Sequence, residues 1–144
     1  MKERQWVKLV VYILVERGGK ILVGKRKGTF GDGYYCVPAG HIEKGETVFG
    51  CAKRELAEET GIHADKFEFK CVRLMKDFQL NGVWADPYVT FCVKAKNWKG
   101  EPKNMEPDKN EEWEWRDLDK LPEPVFPPVK FLLECINSSS AFLD

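Results

Sequence analysis

From Thr47 to Thr60 the chain reads as a helix, and that helix gathers three carboxylates on one patch. Phe49, Ala52 and Leu56 recur at spacings of three and four, so one side is apolar. Gly61 follows at once, where a left-handed cap is usual. Residues three or four apart on a helix are neighbours, so Glu55 lies beside both Glu58 and Glu59. Each such like-charge pair costs a few tenths of a kcal/mol in water and more when half-buried. An isolated helix gains nothing from the arrangement. A divalent cation would reverse the sign of the interaction. Mg²⁺ prefers hard oxygen ligands in an octahedron and keeps some waters for substrate phosphates.

The flanking residues fit a metal site. Arg54 stands four residues before Glu58 and can pair with it. Gly40 and Gly45 allow a tight loop that brings backbone carbonyls close. Glu46 can cap the helix or reach Arg54. The plainer alternative is a solvated amphipathic helix, since Glu-rich helical faces are common. The combination outweighs it. Gly40, Glu46, Arg54, Glu55, Leu56, Glu58, Glu59, Gly61 and Ile62 fulfil G-x₅-E-x₇-R-E-U-x-E-E-x-G-U, where U is a bulky aliphatic residue.

With that pattern the chain resembles the Nudix hydrolase family. The resemblance implies an α+β fold, with a mixed β-sheet sandwiched between helices in an α/β/α arrangement and the motif forming loop–helix–loop. It implies Mg²⁺-dependent hydrolysis of a nucleoside diphosphate linked to another group, with Mn²⁺ as an alternative metal. Carried onto this chain, Glu55, Glu58 and Glu59 become metal ligands, with the carbonyl of Ala39 as a further one. Arg54 and Glu46 become their support. The expected step is attack of a metal-bound water on phosphorus. Glu55 or Glu58 takes the proton, and the sequence does not choose between them.

Composition sets outer bounds. A length of 144 residues favours a single domain over 1–144, and 43% hydrophobic with 32% charged residues is ordinary globular usage. Lys plus Arg and Asp plus Glu each number 23, so no basic excess marks a nucleic-acid polymer binder. The five cysteines form no CxxC pair and read as reduced, mostly buried thiols rather than nucleophiles. The longest apolar stretch, Val10 to Val15, is far short of the roughly 20 residues of a membrane span. Met1-Lys2-Glu3-Arg4 lacks an apolar signal region, so a cytoplasmic location is expected.

The remaining chain alternates strands and loops. Trp6 to Val15 reads as a buried strand, and Glu16 to Gly19 as a turn leading to a second strand, Lys20 to Lys25, in a hairpin. Lys27 to Gly33 is a glycine-rich loop, and Tyr34 to Pro38 a short strand. Lys66 to Phe78 and Tyr88 to Ala95 are strand-like, with Asn81-Gly82 turning between them. Asn97 to Lys109 is a loop, and Glu112 to Arg116 a strand. The four prolines of Leu121 to Pro128 exclude a regular helix, so the closing helix is placed at Phe131 to Ile136.

Substrate-contacting residues are sought outside the helix. Arg26, at the end of the second strand, can grip a phosphate oxygen, and His41 can donate to one; for both, a solvent-facing role is the alternative. Glu101 to Trp115 is similar to a segment of the MutT-like nucleotide diphosphatases of animals and plants, as are Gly24 to Gly28, Pro38 to Glu46 and Tyr88 to Thr90. The resemblance to that branch implies that Glu111 approaches the metal and that Thr90 sits in the base pocket. It implies release of pyrophosphate and a nucleoside monophosphate, and a homodimer. The departure lies at Pro127-Pro128, where the human thiopurine-nucleotide member has tryptophan and glycine. Pro128 has no N–H to offer a guanine. Three functions therefore stand: hydrolysis of purine nucleoside triphosphates, modified ones included; hydrolysis of a non-nucleotide diphosphate such as an isoprenoid diphosphate; and a non-catalytic nucleotide-binding module.

Overall fold

A computed structural model describes residues 2–28, 30–76, 78–138 and 142–143. Met1, Thr29 and Asp77, within segments read above as a charged start, a loop and a strand, lie outside the described residues. The elements are β1 (Lys8–Leu14), β2 (Glu16–Arg17), β3 (Lys20–Arg26), β4 (Tyr35–Cys36), β5 (Ala39–His41), α1 (Val48–Thr60), β6 (Lys66–Met75), β7 (Gln79–Leu80), β8 (Val83–Trp84), β9 (Tyr88–Lys96), β10 (Asn110–Asp117), α2 (Pro127–Asn137) and β11 (Phe142–Leu143). Five strands form a mixed sheet in the order β11-β6-β9-β1-β5. Within it β1 runs parallel to β9 and β11 parallel to β6, and the other pairs are antiparallel. A smaller sheet, β10-β3-β2, carries β4 on β3.

Strand β1 explains the layering. Its side chains alternate between two apolar clusters, as a strand buried on both faces requires. Val10, Tyr12 and Leu14 join Phe126, Val129, Leu132 and Cys135 at α2. Val11, Ile13 and Val15 join Cys51, Ala52 and Leu56 of α1. Burying one such aliphatic side chain contributes roughly 1.5–3 kcal/mol, so the run Val10 to Val15 fastens both helices to the sheet. The α+β architecture is as expected.

Several boundaries differ from the sequence reading. The opening hairpin is local only. β3 pairs with β2, β4 and β10, while β1 leaves for the centre of the larger sheet between β5 and β9. A strand apolar on both faces needs partners on both edges, and β3 supplies neither. The buried strand starts later than Trp6, which is 88% exposed. Phe49 is also exposed and stacks on Phe67, and Cys51 takes the buried place beside Ala52 and Leu56. The closing helix begins at Pro127 rather than Phe131. Prolines suit the first turn, where backbone N–H groups have no helical partner anyway. Asn81 and Gly82, at φ 52° and 79°, turn the small β7–β8 hairpin as their sequence suggested. Among the described residues, no helix is long and apolar enough to cross a membrane.

Candidate active site

Helix α1 is closed at both ends by side-chain and backbone chemistry. The Thr47 hydroxyl accepts from the Gly50 amide at 3.0 Å. At the other end Gly61 adopts φ 75°, and its amide donates to the Ala57 carbonyl at 3.0 Å. Burial of Cys51, Ala52 and Leu56 fixes the helix's rotation and turns Arg54, Glu55, Glu58 and Glu59 toward a cavity.

Arg54 organises that face. Its Nε donates to Glu46 Oε2 at 2.7 Å and its Nη2 to Glu46 Oε1 at 2.9 Å. Nη1 donates to Glu55 at 2.8 Å and to Glu58 at 3.1 Å, and Nη2 also reaches the His41 carbonyl at 3.1 Å. Glu46 therefore serves Arg54 and the Glu43 amide, while Thr47 makes the helix cap. The hydrogen bond from Arg54 holds the Glu46 carboxyl down at about 2. In return Glu46 pushes the guanidinium further above its already high range.

Glu59 and Glu55 are in the opposite condition. Burial pushes the Glu59 carboxyl well above the usual range, and the charge of Glu55 and then Glu106 adds to this; the Ala39 amide works against it. Burial likewise raises Glu55, opposed by Arg54. Gly40 makes room for this pair. A Cβ there would lie 2.0 Å from the Glu55 carboxyl carbon. Hard oxygens crowded without enough positive charge are a donor set that suits a divalent cation. Arg54 holds Glu55 and Glu58, and Glu59 meets Glu55 and the Ala39 backbone, in place of a coordination geometry. Among the described residues no three His, Cys, Asp or Glu side chains stand ready around one metal position.

The loop after β9 closes over the end of α1. Lys103 N donates to Thr60 O at 2.8 Å, Met105 N to Glu59 O at 3.3 Å, and Trp113 Nε1 to Glu59 O at 3.1 Å. These bonds serve carbonyls that a helix end leaves without partners. They also bring Glu106 and Lys109 to the cavity wall.

The cavity measures about 570 Å³. Its lining includes Ala39, Gly40, Glu43, Arg54, Glu55, Glu58, Glu59 and Glu106. It also includes Phe30, Phe78, Phe126 and Pro128. Phe30 meets Phe78 and Phe126 edge-on, at ring separations of 6.0 and 6.1 Å. Arg26 joins the aromatic residues. Its Nε donates to the Phe30 carbonyl at 2.9 Å, and its guanidinium lies 4.4 Å from the Phe126 ring centre. His41 lies 6.0 Å from the Tyr88 ring, and burial, then the charge of Lys8, lowers its pKa. Burial pushes Cys36 up to about 11 and Cys51 up to about 12, which agrees with thiols that are not nucleophiles.

The structure thus brings Arg26, Ala39, His41, Arg54, Glu55, Glu58 and Glu59 to one cavity. It does not bring Glu111 or Thr90 there. β10 slips register between Asn110 and Trp113, which leaves Glu111 exposed outside the cavity wall. The late-loop carboxylate on the wall is Glu106 instead. Thr90 is completely buried, and its hydroxyl donates to the Arg73 carbonyl of the neighbouring strand at 2.9 Å. Glu106 and Lys109 lie inside the Glu101 to Trp115 segment, whose resemblance implied Glu111 rather than these two. Phe30, Phe78 and Phe126 are too far apart in sequence for spacing to unite them.

Comparison with known proteins agrees with this geometry. The NUDIX domain model matches residues 6–133. The oxidized purine nucleoside triphosphate hydrolase of Danio rerio is 31% identical over 115 residues, covering 80% of this chain and 69% of its own. Its counterpart in Mus musculus is 28% identical with the same coverage. The crystal structure of a MutT NUDIX hydrolase from Burkholderia pseudomallei superposes with a TM-score of 0.80 at 31% identity, covering 90% of this chain and 98% of that one. The loop–helix motif, the sheet that carries it and these likenesses coincide, and the chain belongs to the Nudix hydrolase family.

Proposed function

We propose that this chain, acting as one Nudix domain, is a divalent-cation-dependent pyrophosphohydrolase that cleaves purine nucleoside triphosphates, modified ones included, to the monophosphate and pyrophosphate. The observation that carries the reading is the cavity itself, lined by crowded carboxylates of α1 and by three phenylalanines. The activity named for the zebrafish and mouse relatives supports the choice of substrate.

Glu55, Glu58, Glu59 and the Ala39 carbonyl would hold the cation, with Glu106 rather than Glu111 as the contribution of the late loop. A bound Mg²⁺ or Mn²⁺ supplies positive charge to the phosphate oxygens and acidifies water. The protein's own groups do the rest. Arg54 and Glu46 fix the carboxylate rotamers. Glu58, exposed and touched by Arg54, takes the proton of the attacking water. His41 donates to a phosphate oxygen from the rim of the cavity. Arg26 joins the phosphate end to the aromatic wall that receives the base.

A second reading keeps the bond and changes the passenger. Phe30, Phe78 and Phe126 make a wall with little hydrogen-bonding capacity, and Pro128 has no N–H to offer a base. Those features favour an apolar group on the diphosphate, such as an isoprenoid. With Mg²⁺ and dGTP, dATP or their oxidised forms, we expect pyrophosphate, and Glu58→Gln should lower the rate by about 10²–10⁴-fold. No pyrophosphate from any nucleotide, with phosphate or pyrophosphate from prenyl diphosphates by mass spectrometry, would hand the case to the second reading. No product from either set would defeat both.

A further inference from the structure

We propose that the Tyr12 hydroxyl donates a hydrogen bond to the group carried by the phosphates, at a ring nitrogen or carbonyl oxygen of a base, and so selects a hydrogen-bonding passenger over an apolar one. The inference rests on the nucleotide reading of the site. Tyr12 stands in the middle of β1, paired with Ala39 on one side and Cys92 on the other. Alternation along the strand sends its side chain into the same cluster as Phe126, against which Phe30 and Phe78 pack. All four rings line the cavity. The hydroxyl end is the part that faces it. Cys36, Arg26 and Tyr88, from three other strands, act on that hydroxyl through their charge, and all three are cavity residues.

Only 5% of Tyr12 is exposed, and among the described residues its hydroxyl has no hydrogen-bond partner. A buried tyrosine ordinarily gives this group to a partner, because a buried donor left unmet is destabilising. Phenylalanine would fill the same space without that cost. Neighbouring polar groups of the wall are engaged. Trp113 Nε1 donates to the Glu59 carbonyl, Asn110 Nδ2 donates to the Glu111 carbonyl, and the Cys36 sulfur meets Arg26. Burial, then the charge of Cys36, pushes the Tyr12 pKa well above the ordinary phenol range, so the group keeps its proton and acts as a donor. A base with an acceptor satisfies that donor. An apolar guest strips it of solvent and offers nothing in return.

The test uses the whole chain and its Tyr12→Phe variant in Mg²⁺. Steady-state kinetics compares dGTP with geranyl diphosphate, and calorimetry compares dGMP with inorganic pyrophosphate. Tyr12→Phe should raise KM for dGTP and weaken dGMP by about 3–10-fold, the worth of one neutral hydrogen bond. The loss should appear in KM rather than kcat, and pyrophosphate affinity should stay within about twofold. Any turnover of geranyl diphosphate should hold or rise. The melting temperature should also hold or rise, since no bond within the fold is lost. A tyrosine that only fills space would leave dGTP and dGMP unchanged, and one bonded within the fold would lower the melting temperature. Either result overturns the proposal, as does an equal loss for pyrophosphate or geranyl diphosphate. If dGMP binding depends on Tyr12 while wild type cleaves no nucleotide, the catalytic reading fails and the Tyr12 contact stands. A wild type that neither cleaves dGTP nor binds dGMP overturns both.

Discussion

Arg54 and Glu46 face each other as two forks, Nε to Oε2 at 2.7 Å and Nη2 to Oε1 at 2.9 Å, and so tie the loop before α1 to the middle of the helix. Planar bidentate pairing of this kind fixes direction as well as charge. Arg54→Lys keeps the charge and loses the fork. Activity should fall by about 10–100-fold, the usual cost of losing a group that orients active-site carboxylates. Glu46→Gln should do much the same. The acid limb of stability adds an independent signature. The Glu46 carboxyl, held at about 2 against an ordinary 4.5, stabilises the fold above pH 4.5 and loses that contribution as pH falls through about 2. Glu46→Gln should flatten the melting curve's dependence on pH in that window, and an unchanged slope would contradict the pairing.

Gly40→Ala tests how closely the loop fits the helix. The new Cβ would sit 2.0–2.3 Å from the Glu55 side chain, so Glu55 must leave its place beneath Arg54. Mg²⁺ affinity and activity should fall by about 10–100-fold, measured by metal titration of the rate. Normal affinity would mean that Glu55 does not act from this position.

Glu59 predicts how cation binding and pH interact. A buried carboxyl whose folded pKa is raised favours its protonated form, so stability from this group is present at low pH and declines as pH rises from 4.5 through the raised value. A divalent cation substitutes for that proton. The gain in melting temperature on adding Mg²⁺ should therefore be larger at pH 8 than at pH 5. Taking the difference between wild type and Glu59→Gln removes His41, whose lowered pKa works in the other direction between its folded value and 6.5. A gain equal at both pH values in wild type would sink the idea that Glu59 meets the cation.

The aromatic wall depends on a close approach at Gly31. Its φ is 82°, and an added Cβ would fall 2.6 Å from the Phe126 ring and 3.0 Å from Arg26 Nε. Gly31→Ala should cost about 1–3 kcal/mol in denaturant titration through backbone strain and overpacking together. Arg26→Lys, which loses the stack on Phe126 and the hydrogen bond to Phe30, should cost about 1–2 kcal/mol.

What the chain announces in its sequence is local. Helical spacing places Glu55 beside Glu58 and Glu59, and Gly61 stops the helix where a left-handed residue is needed. Both follow from geometry within one turn. The late loop is different. Its position comes from carbonyls at the end of α1, which bring Glu106 to the cavity, while Glu111 falls in the register shift of β10 and lies outside it. Neither is encoded near the residues it moves. The placement of Thr90 is hidden for a related reason. Alternation along β9 defines two faces, and only the finished sheet shows that this hydroxyl is spent on Arg73.

The edge-on rings of Phe30, Phe78 and Phe126 have a consequence for fidelity. An apolar wall grades its guests by fit, at roughly 10–200-fold per missing methylene, whereas a wall of buried hydrogen-bonding groups can reject a mismatch by 10⁴–10⁵-fold. For a guest held against such a wall, selection is graded rather than absolute. One altered atom on such a guest would shift its rate without abolishing it, so an apolar wall suits a range of related guests better than one exact guest.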